Sequence, residues 1–197
     1  LMREIDNYKI QYDISVIIPT QGRIQLLKTL FISFKKALNK SKCQVEIIII
    51  DSSKQEDSKE IEFLCEQYEA KYVKGSLNVR EKRNLGIKEA RGEIILFVDS
   101  DCEVSQNIFE EHLKMYNNPD TGGVLGLTEF IGKETTSWKI VKRTKFLDAF
   151  SFAKSLHNYV DFAPWGTCTN LSFRKRILEK VGGFDTNFPF RLGGDDT

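Results

Sequence analysis

The stretch REKRNLGIKEARGEIILFVDSD, Arg80 to Asp101, decides how the chain is read. It opens with helical spacing, which extends the helix over Val79 to Gly92 and casts Gly92 as the glycine that ends it. It then changes to EIILFV, Glu93 to Val98, an apolar run without polar alternation. Such a run is expected of a strand covered on both faces. It ends on two aspartates, Asp99 and Asp101, with Ser100 between them.

The same alternation of strand and helix continues toward the N-terminus. ISVII, Ile14 to Ile18, is a β-branched run stopped by Pro19. From Gln25 to Leu38, apolar residues recur at Leu26, Leu27, Leu30, Phe31, Phe34, Ala37 and Leu38, the period of an amphipathic helix. VEIIII, Val45 to Ile50, is a second strand and runs into Asp51. Ser53 to Tyr68 reads as a helix with Ile61, Phe63, Leu64, Cys65 and Tyr68 on its inner face, and KYVKG is a short third strand. This order predicts an α/β fold with a mostly parallel central sheet flanked by helices. Past Ser105 the pattern loosens, which places a subdomain boundary near residue 104. QNIFEEHLKMY is helical there, TGGVLGLTEFIG reads as a strand pair or a bent strand, and Trp138 to Tyr159 is an aromatic-rich helical stretch.

Composition narrows the classes. A chain of 197 residues with 41% apolar and 29% charged residues is an ordinary globular protein. The net charge of +1, from 29 basic and 28 acidic residues, excludes the marked basic excess of a nucleic-acid binder. The cysteines Cys43, Cys65, Cys102 and Cys168 are too scattered for a zinc site and read as reduced thiols of a cytoplasmic protein. Apolar runs reach only about five residues, against the ~20 that a membrane-spanning helix needs. The first residues lack a signal-peptide pattern, and the abrupt ending in GGDDT reads as a cut chain.

In an open parallel sheet, ligands bind beyond the carboxyl ends of the strands. Asp51, Asp99 and the PTQGR segment all fall at such ends. Carboxylates two residues apart suit a hard divalent ion that also binds substrate phosphates. The plainer reading makes Asp99 a turn former and Asp101 a helix cap.

At this point the chain resembles the family 2 glycosyltransferases, with the Rossmann-like A-type nucleotide-sugar-binding fold. VIIPTQGR is similar to the family's first-strand motif and IIIIDSS to its second. REKRNLGIKEARGEIILFVDSD resembles its helix–strand–DxD unit, GTCTNLSFRKRILEKVGGFDTNF its acceptor-side segment, and GGDD its closing acidic pair. The chain departs from the commoner pattern in Gln21 and Gly22, which stand where an aromatic residue and an asparagine are usual, and in Ser100 within the DxD.

The resemblance implies a metal-dependent, inverting transfer of a sugar from a nucleoside-diphosphate sugar, by default a UDP-sugar. The acceptor would be a hydroxyl of a carbohydrate or lipid-linked molecule in glycan or cell-surface polysaccharide synthesis. It implies donor contacts from Pro19, Thr20, Gln21, Arg23, Asp51, Arg83, Asp99 and Ser100. Among these, Thr20 and Asp51 would meet the nucleoside, Asp51 accepting from a base N–H, and Asp99 would lie near the ribose. Arg83 would reach the nucleotide or diphosphate, or else is a solvated helix residue; Asp51 has the alternative of capping the next helix. Asp101, with Asp99, would hold Mn²⁺ or Mg²⁺. Asp195 or Asp196 would be the general base, Asp196 being favoured, with a plain turn after Gly193 and Gly194 as the alternative. On this reading residues 1–104 bind the nucleotide sugar and 105–197 form the acceptor side.

Two other readings share features with this one. A sugar-1-phosphate nucleotidyltransferase would share the sheet and the carboxylates, but PTQGR lacks the glycine-rich loop of that class. A non-catalytic nucleotide-sugar-binding module would share the fold. The stretch from Lys139 to Trp165 mixes basic and aromatic residues, and reads either as core or as a peripheral contact with the inner face of a membrane. His112 and His157 read as packing residues.

Overall fold

The computed structural model describes residues 12–128 and 168–187. Its centre is a six-stranded sheet of order β3-β2-β1-β4-β6-β5. The strands are β1 (Tyr12–Thr20), β2 (Val45–Asp51), β3 (Lys71–Lys74), β4 (Gly92–Phe97), β5 (Gly123–Leu125) and β6 (Leu171–Arg174). The helices are α1 (Ile24–Lys40), α2 (Gln55–Gln67), α3 (Val79–Glu89), α4 (Ile108–Met115) and α5 (Lys175–Val181). Strands β3, β2, β1 and β4 are mutually parallel, while β6 pairs antiparallel to both β4 and β5. The expected α/β architecture is therefore present, with one reversed strand drawn from the later half of the chain.

Alternation along the strands divides the core into two layers. Ile14, Val16, Ile18, Ile47, Ile49, Ile94 and Leu96 pack with Leu27, Leu30, Phe31 and Phe34 of α1, Ile61 and Leu64 of α2, and Phe109 of α4. Ile17, Ile48, Ile50, Ile95 and Phe97 face the opposite way, onto Ile87 and Ala90 at the end of α3 and Leu178 of α5. Each such aliphatic or aromatic side chain, fully buried, contributes about 1.5–3 kcal/mol. Two helices are missing their expected inner residues. Phe63 is 59% exposed and Leu26 is 44% exposed. Residues 61, 64 and 65 share one helical face, and position 63 lies far around the axis from it; Leu26 shares a face with Leu30 and Ser33 but stands in the first turn of α1, which begins at Ile24.

Two boundary expectations are corrected. Pro19 does not stop β1, which continues to Thr20. Ile17 carbonyl accepts from Val98 N–H, so odd-numbered residues of β1 face β4, whose ladder ends at the Ile17–Phe97 pair. Pro19 therefore lacks its N–H on the side where no partner strand remains. Gly92 does not end α3; Ala90 is the helix cap and Gly92 begins β4. A Cβ at Gly92 would lie 2.6 Å from Ser15 N and 2.7 Å from Ile14 C, so only glycine lets the strand lie this close. Gly86 has a similar role in α3, where a Cβ would overlap Ile17 Cγ2. The helix that carries Lys82 and Arg83 is thereby seated directly on β1.

Candidate active site

The parallel strands bring the ends of β1, β2, β3 and β4 to one side of the sheet. After Phe97, Val98 makes the last bond to β1, and Cys102 N–H donates to Asp99 carbonyl at 3.3 Å, turning the chain away. Asp99 is held from two directions. Arg83 Nη2 lies 3.2 Å from its Oδ1, and Thr169 Oγ1 donates to its Oδ2 at 2.8 Å. The Arg83 side chain is only 14% exposed, and its guanidinium also sits 5.7 Å from the Phe184 ring centroid. Its Nε is buried with no hydrogen-bond partner among the described residues. Arg83 is thus not a solvated helix residue.

Asp101 is treated differently. It caps no helix, since α4 begins at Ile108 with Asn107 in the cap position. Its Oδ2 lies 3.1 Å from Arg23 Nη1, and the two side chains are 43% and 32% exposed. Arg23 itself stands in the left-handed region with φ 54°, directly after Gly22 with φ 64°. It occupies the N-cap position of α1, which has no side-chain cap and no acidic residue in its first turn. Ser100, which separates the two aspartates in sequence, is buried.

Asp51 points into the fold. Its side chain is 0% exposed, and donors surround both oxygens. Oδ1 accepts from Ser53 N–H at 2.9 Å and from Ser53 Oγ; Oδ2 accepts from Ser58 Oγ at 2.9 Å and Tyr72 OH at 3.0 Å. Lys74 Nζ adds an ion pair at 3.4 Å. Burial pushes the Asp51 pKa up, but the bonds from Ser53, Ser58 and Tyr72 outweigh it, and the carboxyl titrates below its ordinary value. Asp51 does not cap α2, whose cap position is Lys54.

The β1 and β2 ends are stitched together beside it. Ser52 N–H donates to Thr20 carbonyl at 3.1 Å, and Gly22 N–H donates to Ser53 Oγ at 2.6 Å. Lys82, buried on α3, donates from Nζ to Thr20 carbonyl and to Ser52 Oγ, each at 3.0 Å. Pro19, Thr20, Gln21 and Arg23 thus stand next to the Asp51 loop. Arg23, Lys74 and Arg83 each pair with one of the three carboxylates, Asp101, Asp51 and Asp99, so the strand ends mix charges of both signs at close range.

A second network holds the strand that brings in Thr169. His112 Nε2 lies 2.8 Å from Asn170 Oδ1, and Asn170 Nδ2 donates to Leu127 carbonyl at 2.9 Å. His112 Nδ1 and Tyr116 OH are each 2.8 Å from Ser172 Oγ. With Asn170 Oδ1 accepting, Nε2 carries a proton; burial favours the neutral ring, in which Nδ1 accepts from Ser172. Burial lowers the His112 pKa, against a smaller raising effect of the Asn170 bond. On the other side, the Asn84 amide grips the main chain of Phe184, Nδ2 donating to its carbonyl and Oδ1 accepting from its N–H, both at 2.8 Å.

Thr169, Lys82 and Asn84 belong to the site but are not marked out by the sequence alone. Thr169 has no local signal, because its contact depends on β6 pairing backward onto β4. Lys82 and Asn84 flank Arg83 in the helix motif, and that adjacency is their signal in the sequence. Asp195 and Asp196 lie outside the described residues, as do Lys139 to Trp165, His157 and the part of TGGVLGLTEFIG beyond Thr128. Among the described residues, no group of three or more His, Cys, Asp or Glu side chains could hold a metal. An accessible carboxylate at Asp101 beside Asp99 instead fits an ion that takes one or two carboxylates and completes its shell with water and phosphate.

The model of glycosyl transferase family 2 matches residues 15–182. An "uncharacterized glycosyltransferase" of Rickettsia bellii is 30% identical over 143 residues, covering 70% of this chain and 19% of that protein. Another, YfnE of Bacillus subtilis, is 26% identical over 121 residues, covering 57% of this chain and 29% of the relative. Among solved structures, the mannosyltransferase PcManGT of Pyrobaculum calidifontis, in complex with GDP-Man and Mn²⁺, superposes with a TM-score of 0.59 at 18% identity. The match covers 91% of this chain and 49% of that one. S. aureus TarS 1-349 in complex with UDP gives a TM-score of 0.60 at 16% identity, covering 91% and 52%. At these identities the structural matches speak for the fold. The chain spans about a fifth of the length of the Rickettsia relative and about half of the solved structures.

Proposed function

The chain belongs to glycosyl transferase family 2, and from that premise we propose that the crevice at the strand ends binds a nucleoside-diphosphate sugar and transfers its sugar to an acceptor hydroxyl. The observation that carries this reading is the pairing of Asp99 and Asp101 at the end of β4 with cations from two other elements, Arg83 of α3 and Arg23 before α1. A nucleoside diphosphate is the ligand that needs both signs. Its phosphates seek cations, and its ribose hydroxyls seek carboxylate acceptors. PcManGT bound to GDP-Man and TarS bound to UDP support a donor of this class. A UDP-sugar is the favoured donor, and a glycan or lipid-linked carbohydrate the favoured acceptor.

Asp101, with Asp99 beside it, would hold Mn²⁺ or Mg²⁺, which supplies Lewis-acid neutralisation of the departing diphosphate. The protein's own part is orientation and proton transfer. Arg83, fixed by Asp99 and Phe184, presents a cation to the phosphates. Thr20 and Asp51 shape the nucleoside end, Asp51 by organising the loop of Ser52 and Ser53. Asp99, held by Thr169, accepts from the ribose. Asp196, or Asp195, takes the proton of the acceptor hydroxyl as its oxygen bonds to the anomeric carbon. The bond from that carbon to the diphosphate breaks on the opposite face, which inverts the centre. Base assistance of this kind is worth roughly 10²–10⁴ in rate. Residues 1–104 serve the donor and 105–197 the acceptor. No helix of the described residues is long and apolar enough to cross a membrane.

The test is a thermal-shift series of nucleoside diphosphates with and without Mn²⁺, paired with release of nucleoside diphosphate from UDP-sugars. A ligand at a hundred times its Kd stabilises by about 2.7 kcal/mol. One nucleotide should raise the Tm only with the metal, and Asp101→Ala should abolish that rise together with turnover. A metal-independent rise that survives Asp101→Ala would refute the assignment. Turnover that requires pyrophosphate would point to the nucleotidyltransferase.

A further inference from the structure

The two aspartates at the end of β4 differ in what restrains them. Asp99 is tied by a half-buried arginine and by a threonine from β6's approach, and its partners are part of the fold. Asp101 has Arg23 against one oxygen, in a pair that is open to water on both sides. Arg23 reaches it from a left-handed backbone that residues other than glycine seldom adopt. The guanidinium therefore stands as a positive charge against the very carboxylate oxygen that a divalent ion would take.

We propose that Arg23 is a resident counter-ion of Asp101, which a divalent metal must displace in order to bind. This rests on the assignment of Asp101 as a metal ligand. It gives the residue a role distinct from donor contact. The pair keeps the carboxylate compensated when no metal is there, and it lowers the affinity of the nucleotide-free protein for metal. Two effects act in the same direction: the ion pair must be broken, and the freed guanidinium then repels the incoming cation.

Mn²⁺ binding to the nucleotide-free chain, followed by loss of the free-ion EPR signal, tests this without reference to activity. An exposed ion pair of this kind is equivalent to about a 1.5- to 5-fold factor in an equilibrium constant. Arg23→Gln should bind Mn²⁺ tighter by that factor, and the gain should shrink between 10 mM and 150 mM salt as screening sets in. Arg23→Gly should show the same gain. It suits the left-handed backbone, so agreement of the two variants separates the missing charge from any change in folding. Asp101→Asn should lose the site. If neither Arg23 variant binds Mn²⁺ tighter while Asp101→Asn still loses it, the counter-ion role is wrong and the metal assignment stands. If Asp101→Asn also binds as the wild type does, the assignment of Asp101 falls, and this proposal with it.

Discussion

Replacing Asp51 by asparagine separates two roles that its position at a strand end allows. A side chain that merely waits for a nucleotide base could be changed at little cost to the ligand-free protein. The structure instead surrounds it with donors: the N–H and hydroxyl of Ser53, the hydroxyls of Ser58 and Tyr72, and the ammonium of Lys74. Asparagine can keep its oxygen toward Ser53, but at neutral strength, and bonds to a charged acceptor are worth about 1.5–3 kcal/mol against 0.5–1.5 for neutral ones. Its NH₂ then faces Ser58, Tyr72 and Lys74. The two hydroxyls can rotate to accept, whereas the ammonium cannot. Lys74 is half exposed and turns to water at small cost. The sum is a loss of about 2–3 kcal/mol, which for a chain of this size lowers the Tm by roughly 4–12 °C. Thermal and urea unfolding of the ligand-free protein measure it directly. The pH dependence supplies a second check. The folded-state pKa of Asp51 lies below its unfolded value. Its stabilising contribution is therefore fully present above the unfolded pKa, near 4, and is lost as pH falls through the folded value. Acid unfolding of Asp51→Asn should be shallower in that window. A Tm within 1 °C of the wild type would refute the organising role.

Two further outcomes follow from the networks around the site. His112 is buried neutral with its pKa lowered, so the unfolded chain binds its proton more readily. Stability should be full above about pH 6.5, the ordinary histidine value, and decline as pH falls below it; urea midpoints at pH 5 and pH 8 should differ in the wild type and differ less in His112→Gln. Asn84→Ala removes both bonds to the Phe184 main chain and should cost about 1–3 kcal/mol in urea unfolding; an unchanged midpoint would show that this grip carries no stability.

The parallel part of the fold was legible because it is built from local signals. Val45–Asp51 and Gly92–Phe97 are apolar runs that only doubly covered strands require, and α1 shows a clean apolar stripe. Boundaries failed where tertiary contact overrode local preference. Gly92 looked like a helix end because glycine often is one, yet its missing Cβ serves the approach of β4 to Ser15. Pro19 looked like a stop because the sequence cannot say on which side of β1 pairing has already ended. Asp51, Asp99 and Asp101 were legible as acidic residues at strand ends. Their different surroundings were not, since these come from Tyr72, Thr169 and Arg23, which lie 21, 70 and 78 positions away. Thr169 in particular depends on an antiparallel strand whose four residues show no conspicuous pattern.

That reversed strand binds the two halves of the chain more tightly than a boundary at residue 104 would suggest. β6 covers the flank of β4 along Ile94 to Phe97, with Leu171 to Arg174 as its partners. A fragment that stopped before β6 would leave β4 as an outer strand, with a row of unsatisfied amides and carbonyls beside the most apolar segment of the sheet. Such a row is a template for joining another chain. Dissection of the donor half should therefore yield aggregates rather than a soluble nucleotide binder, unless residues 171–174 are carried along to close the sheet.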